Sequence, residues 1–161
     1  MKYTFVILLL VGCYGKKVKP TSGFEGKAMP AIDLIAPDSL SHFNTKEIPT
    51  GKPTILISFE PWCPYCRAQT KSIVKNIEEL KDINFIFICN SPYSNFKKYY
   101  DEYHLSRYAN IKAGIDTNYT FDDYFQSTKI PFFAIYGRDK KLKQILVGKN
   151  YISTIKEVTL D

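Results

Sequence analysis

Two cysteines three positions apart, Cys63 and Cys66, stand between a sequence pattern typical of a buried strand and one typical of a helix. Residues 54–59 form a nearly continuous apolar and β-branched run, which is typical of a strand covered on both faces. After Cys66, apolar residues recur at helical spacing over residues 73–80. The pair is therefore predicted to lie at a strand-to-helix junction, in the first turn of the helix.

The Cys-x-x-Cys spacing suits reversible disulfide chemistry at a helix start. Residues three apart on a helix have Cβ atoms ~5–6 Å apart, and slight loosening of the first turn brings two sulfurs within bonding range. Cys63 faces the free N–H groups and the positive end of the helix dipole, which stabilise a thiolate. Cys66 lies one turn inside, where burial favours the neutral thiol. We therefore predict that Cys63 attacks a substrate disulfide and that Cys66 resolves the mixed disulfide.

Two other interpretations of the pair are a structural disulfide and half of a zinc site. Zinc needs four ligands, but the chain has no second closely spaced cysteine pair, and His42 and His104 stand in unrelated segments. We therefore predict no metal. An organic cofactor is not required either, because a dithiol carries two electrons.

Two segments together resemble the thioredoxin superfamily. Residues 59–66, Phe-Glu-Pro-Trp-Cys-Pro-Tyr-Cys, are similar to its active-site segment, and Pro64 also suits the first position of a helix. Residues 129–136 place Pro131 before an apolar strand, similar to the cis-proline loop that faces the redox pair in this superfamily. An ordinary trans proline at a strand start is the alternative. The predicted substrate-contacting residues are Trp62, Pro64, Tyr65, Ile130 and Pro131.

The resemblance implies an α/β thioredoxin-like fold, in which helices flank a central mixed sheet. The order of predicted elements resembles one branch, the membrane-attached TlpA/ResA-type thioredoxins and their peroxiredoxin relatives, which carry an N-terminal hairpin and an inserted strand and helix. The hairpin is expected within residues 29–44. The other predicted strands are 84–89, 111–116 and 142–147, together with the apolar strand within residues 129–136 that Pro131 leads into. The other predicted helices are 95–104, 121–125 and 152–160.

Two positions depart from the pattern of these families, and a third, Glu60, bears on proton transfer at the cysteines. Ile57 stands where thioredoxins have a buried aspartate, so that proton acceptor is missing. Gln69 stands where many TlpA/ResA-type proteins have a glutamate, and an amide does not titrate. Glu60 is the nearest carboxylate before Cys63. We interpret Glu60 as a solvated loop residue, with proton transfer at the cysteines as the alternative.

The remaining two cysteines are interpreted separately. Cys89 ends an apolar run and is predicted to be a buried, inert side chain, with a regulatory thiol as the alternative.

Cys13 follows a short basic and apolar segment typical of a secretion signal, and Leu-Val-Gly-Cys at residues 10–13 resembles a bacterial lipobox. This predicts a signal peptide at 1–12, a lipidated tether at 13–27 and a thioredoxin-like domain at 28–161. A buried N-terminal strand with an incidental cysteine is the alternative.

Composition limits the range of partners. The chain has 161 residues, with 22 Lys and Arg against 16 Asp and Glu, for a formal net charge of +6. This length is typical of one domain, and the basic residues are interspersed with acidic ones, so we expect no nucleic-acid binding. We expect a monomer whose partners are protein substrates with disulfides or thiols, the membrane through the N-terminal lipid, and a membrane electron donor.

These observations predict a thiol–disulfide oxidoreductase of the cell envelope. It would face the periplasm on a lipid anchor and act on protein disulfides in the reducing direction. One alternative is a thiol peroxidase of the redoxin type, although no threonine precedes Cys63 at the position usual for a peroxidatic cysteine. Another is a non-catalytic thioredoxin-fold binding module in which Cys63 and Cys66 form a fixed disulfide.

Overall fold

The computed structural model describes residues 22–160, which contain seven strands and four α-helices. The strands are β1 (Asp33–Ile35), β2 (His42–Asn44), β3 (Thr54–Ser58), β4 (Asn84–Cys89), β5 (Ile111–Ile115), β6 (Phe132–Tyr136) and β7 (Leu142–Val147). The helices are α1 (Pro64–Lys75), α2 (Tyr93–Glu102), α3 (Thr120–Phe125) and α4 (Ile152–Leu160). Short 3-10 helices cover Thr45–Glu47, Ile77–Leu80 and Leu105–Arg107.

All seven strands form one mixed sheet in the order β2-β1-β5-β4-β3-β6-β7. The strands β3, β4 and β5 run parallel, whereas β6 is antiparallel to β3 and β7 is antiparallel to β6. The carboxyl ends of β3, β4 and β5 therefore meet at one edge of the sheet, and the Cys63–Cys66 segment follows β3 at that edge. The predicted thioredoxin-like fold, with a mixed sheet flanked by helices, is confirmed.

Both faces of the sheet are covered, which explains the continuous apolar run in β3. Ile55 and Ile57 pack on one face, with buried residues of α1, α2 and α4. Leu56 packs on the other, with α3 and N-terminal residues such as Ile32. Each fully buried side chain of this size contributes about 1.5–3 kcal/mol. A central strand buried on both faces is a rigid base for the segment that follows it.

The N-terminal hairpin joins the sheet through β5. The strands β1 and β2 pair antiparallel, and Ile35 pairs with Ile115. Gly114 makes this approach possible, because a Cβ there would lie 2.8 Å from the Leu34 Cβ and 2.9 Å from the Ile35 carbonyl oxygen. The hairpin predicted from residues 29–44 is present, and α2, β5 and α3 lie between β4 and Pro131, where the additional strand and helix were expected.

Helix boundaries differ from the predicted ones by more than one residue at two places. The apolar residues at helical spacing over 73–80 lie partly in α1 and partly in a 3-10 helix. Asn76 ends α1, because its Nδ2 donates a hydrogen bond to the Ser72 carbonyl 2.8 Å away. The predicted helix 95–104 begins at Tyr93 and ends at Glu102. His104 cannot extend it, because its backbone is left-handed with φ of 51°.

The predicted signal peptide and Cys13 lie outside the described residues. The last residues assigned to the tether belong to the packed structure, because the Phe24 ring lies 5.3 Å from that of Phe125 and the Gly26 N–H donates to the Leu142 carbonyl at 2.8 Å. The folded part therefore includes residues before 28. Within residues 22–160, no helix combines the length and the apolar character needed to cross a bilayer.

Candidate active site

Cys63 caps the helix that carries Cys66. Its backbone is extended, with φ of −74° and ψ of 118°, and its sulfur accepts a hydrogen bond from the Cys66 N–H at 3.4 Å. Pro64 occupies the first turn of α1, where its missing N–H costs no helical hydrogen bond. The two thiols are not joined by a disulfide in this structure. The Cys63 sulfur thus lies at the N-terminal end of α1, as the sequence predicts.

The two thiols have different surroundings. Burial raises the pKa of the Cys66 thiol well above its usual range, and the hydrogen bond with Cys63 raises it further. Cys66 is 1% exposed and Cys63 is 5% exposed, so Cys63 is the outer member of the pair. Cys66 therefore stays protonated at neutral pH and must lose a proton before it can act as a nucleophile.

The segment that contains Pro131 lies beside the pair. The Ile130–Pro131 peptide bond is cis, as predicted. Ile130 packs against the same apolar cluster that contains Cys63 and Cys66. The Pro131 carbonyl accepts a hydrogen bond from the Gly148 N–H at 2.8 Å, which joins the start of β6 to the end of β7. Two segments 65 positions apart in the sequence are thereby brought together.

The predicted contact residues around the pair are accessible. Trp62 is 72% exposed and Tyr65 is 65% exposed, on either side of the buried Cys63, and Pro64 is also exposed. Large exposed aromatic side chains next to a nucleophile offer an apolar surface to a partner. The position of these residues fits the predicted contact role, which remains a prediction.

Glu60 is not the solvated loop residue that the sequence suggests. Its side chain is half-buried, and a carboxylate oxygen accepts a hydrogen bond from the Ser91 hydroxyl. Its backbone carbonyl accepts the Cys63 N–H at 3.0 Å. Besides burial and the Cys63 contact, the Glu60 charge contributes to the raised pKa of Cys66. Proton transfer by Glu60 at the cysteines remains a prediction.

Ser91 is a site residue that sequence reasoning missed. It follows β4 and is 7% exposed, and its hydroxyl holds the Glu60 carboxylate at the edge where β3 and β4 end. A serine after a strand is ordinary loop sequence, so no local signal distinguishes it. Only the parallel pairing of β3 with β4 brings these two residues together.

Gln69 is a second residue with an unexpected role. It is 1% exposed, and its Oε1 accepts a hydrogen bond from the Asn150 N–H at 2.6 Å. The Asn150 side-chain amide donates to the Gly148 carbonyl at 2.7 Å, and the Gly148 N–H donates to Pro131. This chain of hydrogen bonds connects the redox helix to the Ile130–Pro131 segment. The sequence indicates only that Gln69 cannot titrate.

The other two positions that the sequence singles out are apolar in character. Ile57 is 1% exposed and packs in the cluster that contains both cysteines, so no carboxylate replaces the missing aspartate within β3. Cys89 is 1% exposed at the end of β4, and burial raises its pKa to about 12. Cys89 is thus a buried thiol that stays protonated at neutral pH, as predicted.

Across residues 22–160, no group of three or more His, Cys, Asp and Glu side chains converges as a metal site would require. What the site offers instead is a dithiol at a helix N-terminus, a cis-proline segment beside it and a half-buried carboxylate behind it. This arrangement defines a thioredoxin-like dithiol protein.

The chain belongs to the Redoxin family, whose sequence signature matches residues 24–158. Family membership supports oxidoreductase activity in general. No curated protein matches the chain.

Solved structures agree with the fold. A candidate electron transfer protein from Aquifex aeolicus superposes with a TM-score of 0.67 at 21% identity, over 84% of this chain and 97% of that one. A secreted Mycobacterium tuberculosis disulfide oxidoreductase, homologous to E. coli DsbE, has a TM-score of 0.65 at 16% identity over 80% and 93%. The exposed lipoprotein thioredoxin Etrx1 from Streptococcus pneumoniae has a TM-score of 0.65 at 17% identity over 81% and 98%. At these identities the likeness concerns the fold.

Proposed function

We propose that this protein is a thiol–disulfide oxidoreductase that reduces disulfides in proteins of the cell envelope. The observation that carries the proposal is the asymmetry of the dithiol. Cys63 caps α1 and accepts the Cys66 N–H, whereas Cys66 is fully buried and protonated. The outer sulfur is placed to attack and the inner one to resolve.

The reaction transfers two electrons to the substrate. The Cys63 thiolate attacks one sulfur of the substrate disulfide, which forms a mixed disulfide and releases the first substrate thiol. Cys66 then loses its proton and attacks the Cys63 sulfur, which breaks the mixed disulfide and releases the second substrate thiol. The protein ends with a Cys63–Cys66 disulfide, which a membrane-bound dithiol donor reduces for the next cycle.

Glu60 is the proposed proton acceptor for Cys66. The thioredoxin aspartate is replaced by Ile57, and Gln69 cannot titrate, so neither usual position supplies a base. Glu60 is half-buried, acts electrostatically on the Cys66 thiol and is oriented by Ser91. A carboxylate in this position takes the proton as the Cys66 thiolate forms.

The substrate is proposed to contact the exposed face around Cys63. Trp62, Pro64 and Tyr65 offer apolar surface, and the backbone at Ile130 is available to pair with an extended substrate segment because Pro131 has no N–H. Such pairing through backbone hydrogen bonds would bring the substrate disulfide to Cys63.

The proposed location is the periplasmic side of the envelope, on a lipid at Cys13. The support is the lipobox-like sequence at residues 10–13 after a basic and apolar start. Two structural neighbours are described as secreted and as an exposed lipoprotein. Because the periplasm is kept oxidising, the reducing direction requires the membrane electron donor.

A Cys13→Ser variant should leave the membrane fraction, and mass analysis of the mature N-terminus should show lipid on Cys13 in the wild type.

Insulin reduction by the reduced full-length protein tests the activity. We expect turnover by the wild type and none by Cys63→Ser or Cys66→Ser. Cys89→Ala is the matched control, because it removes a buried thiol outside the pair, and it should keep the wild-type rate. Equal rates for the wild type and the two serine variants would contradict the proposal.

The Cys66→Ser variant identifies the substrates. It retains the attacking sulfur but cannot resolve the mixed disulfide, so partners accumulate in covalent complexes on Cys63. Envelope proteins recovered from such complexes and released by reductant would support the proposed substrate class. Recovery of the same proteins with Cys63→Ser would contradict it.

A further inference from the structure

We infer that the groove beside the Ile130–Pro131 segment selects extended substrate segments that carry an Asp or Glu next to the disulfide cysteine. The inference rests on the proposed function and adds a substrate class to it. It concerns a groove lined by Tyr65, Lys129, Ile130, Val147, Gly148 and Lys149.

The groove combines an apolar floor with a basic rim. Tyr65 is 65% exposed and Val147 is 46% exposed, and Ile130 is half-buried between the groove and the core. Lys129 and Lys149 are both exposed. No lining residue is acidic. The groove therefore offers apolar contacts to a peptide chain and positive charge to its side chains.

The two lysines are held on neighbouring loops. Lys129 lies two residues before Pro131 and Lys149 one residue after Gly148, so both flank the hydrogen bond between Gly148 and Pro131. Within residues 22–160 neither lysine forms a salt bridge. Two unpaired ammonium groups beside one groove favour a carboxylate there and disfavour another cation.

The groove on the other side of Trp62 has a different charge balance. Its lining includes Arg67 and Glu102, which form an ion pair with each other. Lys98 is the remaining charge among its lining residues. The stronger selection for an acidic side chain is therefore expected on the Tyr65 side, where the substrate backbone would run along Ile130.

The hydrogen-bond chain from Gln69 preorganises this groove. The Asn150 N–H donates a hydrogen bond to Gln69 Oε1 at 2.6 Å, and Asn150 Nδ2 donates one to the Gly148 carbonyl at 2.7 Å. The loop that carries Lys149 is thus connected to the helix that carries Cys63 and Cys66. Because this loop is already held in place, less conformational entropy is lost when a substrate binds in the groove.

Three synthetic peptides test the inference. They have equal length and one internal disulfide, and the residues next to the cysteines are Asp, Asn or Lys. Reduced full-length protein in excess is mixed with each peptide, and the second-order rate constant of thiol release is measured. At low ionic strength we expect the acidic peptide to react about fivefold faster than the neutral one and the basic peptide to be slowest. At about 1 M salt, where the Debye length is ~3 Å, the rates should converge.

Charge reversal localises the effect. The Lys129→Glu and Lys149→Glu double variant should invert the order of the three peptides. The comparison is made within one variant, so the folded fraction does not affect it. The matched control is Lys46→Glu with Lys81→Glu, which changes the net charge equally at exposed positions away from the groove and should keep the wild-type order.

The neutral bis(2-hydroxyethyl) disulfide separates the two proposals. If the wild type reduces it but reacts equally with the three peptides, the acidic selectivity is wrong and the proposed function stands. The selectivity is also wrong if both double variants keep the wild-type order. If the wild type reduces no disulfide at all, the proposed function fails, and this inference fails with it.

Discussion

The ends of β3 and β4 differ in chemistry although the two strands are neighbours in the same sheet. Each strand runs into the same edge, and each is associated with a cysteine that is 1% exposed: Cys66 beyond β3 and Cys89 at the end of β4. After β3 the chain enters a helix whose first turn holds two sulfurs. Cys89 remains within strand pairing, opposite Ile115. Burial alone therefore does not decide whether a thiol is reactive, since the difference lies in the second sulfur and the helix N-terminus.

The largest expected difference between the two strand ends is in alkylation. Iodoacetamide at pH 7 should modify Cys63 of the reduced native protein at least roughly a thousandfold faster than Cys89. Burial raises the Cys89 pKa to about 12, so its thiolate is scarce at that pH and the sulfur is inaccessible. Peptide mass mapping over time assigns the label. Rapid native labelling of Cys89 would revive its interpretation as a regulatory thiol.

A smaller effect is expected from Glu60, which lies between the two ends. Glu60→Gln should slow resolution of the mixed disulfide by roughly ten- to a hundredfold, because Cys66 loses its proton acceptor. Ser91→Ala keeps the carboxylate but removes its hydrogen-bond donor, and it should slow the same step only a few-fold. The lifetime of the mixed disulfide after rapid mixing is the measurement.

The Glu60 variant also separates proton transfer from electrostatics. The Glu60 charge contributes to the raised pKa of Cys66, so a purely electrostatic influence predicts that Glu60→Gln lowers this pKa and speeds resolution. Faster resolution would thus contradict the role of proton acceptor, whereas slower resolution with a weaker pH dependence would support it.

The smallest expected effect concerns stability at high pH. The folded Cys89 pKa is raised from 9.0 to about 12, so the folded state holds a proton that the unfolded state releases. This contribution is fully present below pH 9 and is lost as pH rises from 9 towards 12. At pH 10 the loss is about 1 kcal/mol.

Denaturant unfolding measures that contribution. The free energy of unfolding should fall more between pH 8 and pH 10 for the wild type than for Cys89→Ala, with a difference of about 1 kcal/mol. Comparison of the two proteins removes the contributions of Cys66 and of the buried tyrosines, which both proteins share. Equal pH dependence would show that Cys89 is less protected than its burial indicates.

Much of the fold could be predicted from local patterns. The strands Asn84–Cys89 and Leu142–Val147 have the predicted limits, because runs of apolar residues covered by other elements are distinct in sequence. Helix limits were less accurate where a side chain or an unusual backbone conformation intervened. Asn76 ends α1 by bonding the Ser72 carbonyl, which the apolar spacing of the next residues does not reveal.

Local sequence is enough to place the dithiol at the start of α1, because the Cys63 cap, Pro64 and the spacing of Cys63 and Cys66 all act within one helical turn. The surroundings of that dithiol depend instead on how distant segments of the chain pack together. The Glu60–Ser91 contact joins residues 31 positions apart, and the Gln69–Asn150 contact joins residues 81 apart. Such contacts depend on which strands pair and how loops pack at one edge of the sheet, and a local pattern carries no information about either.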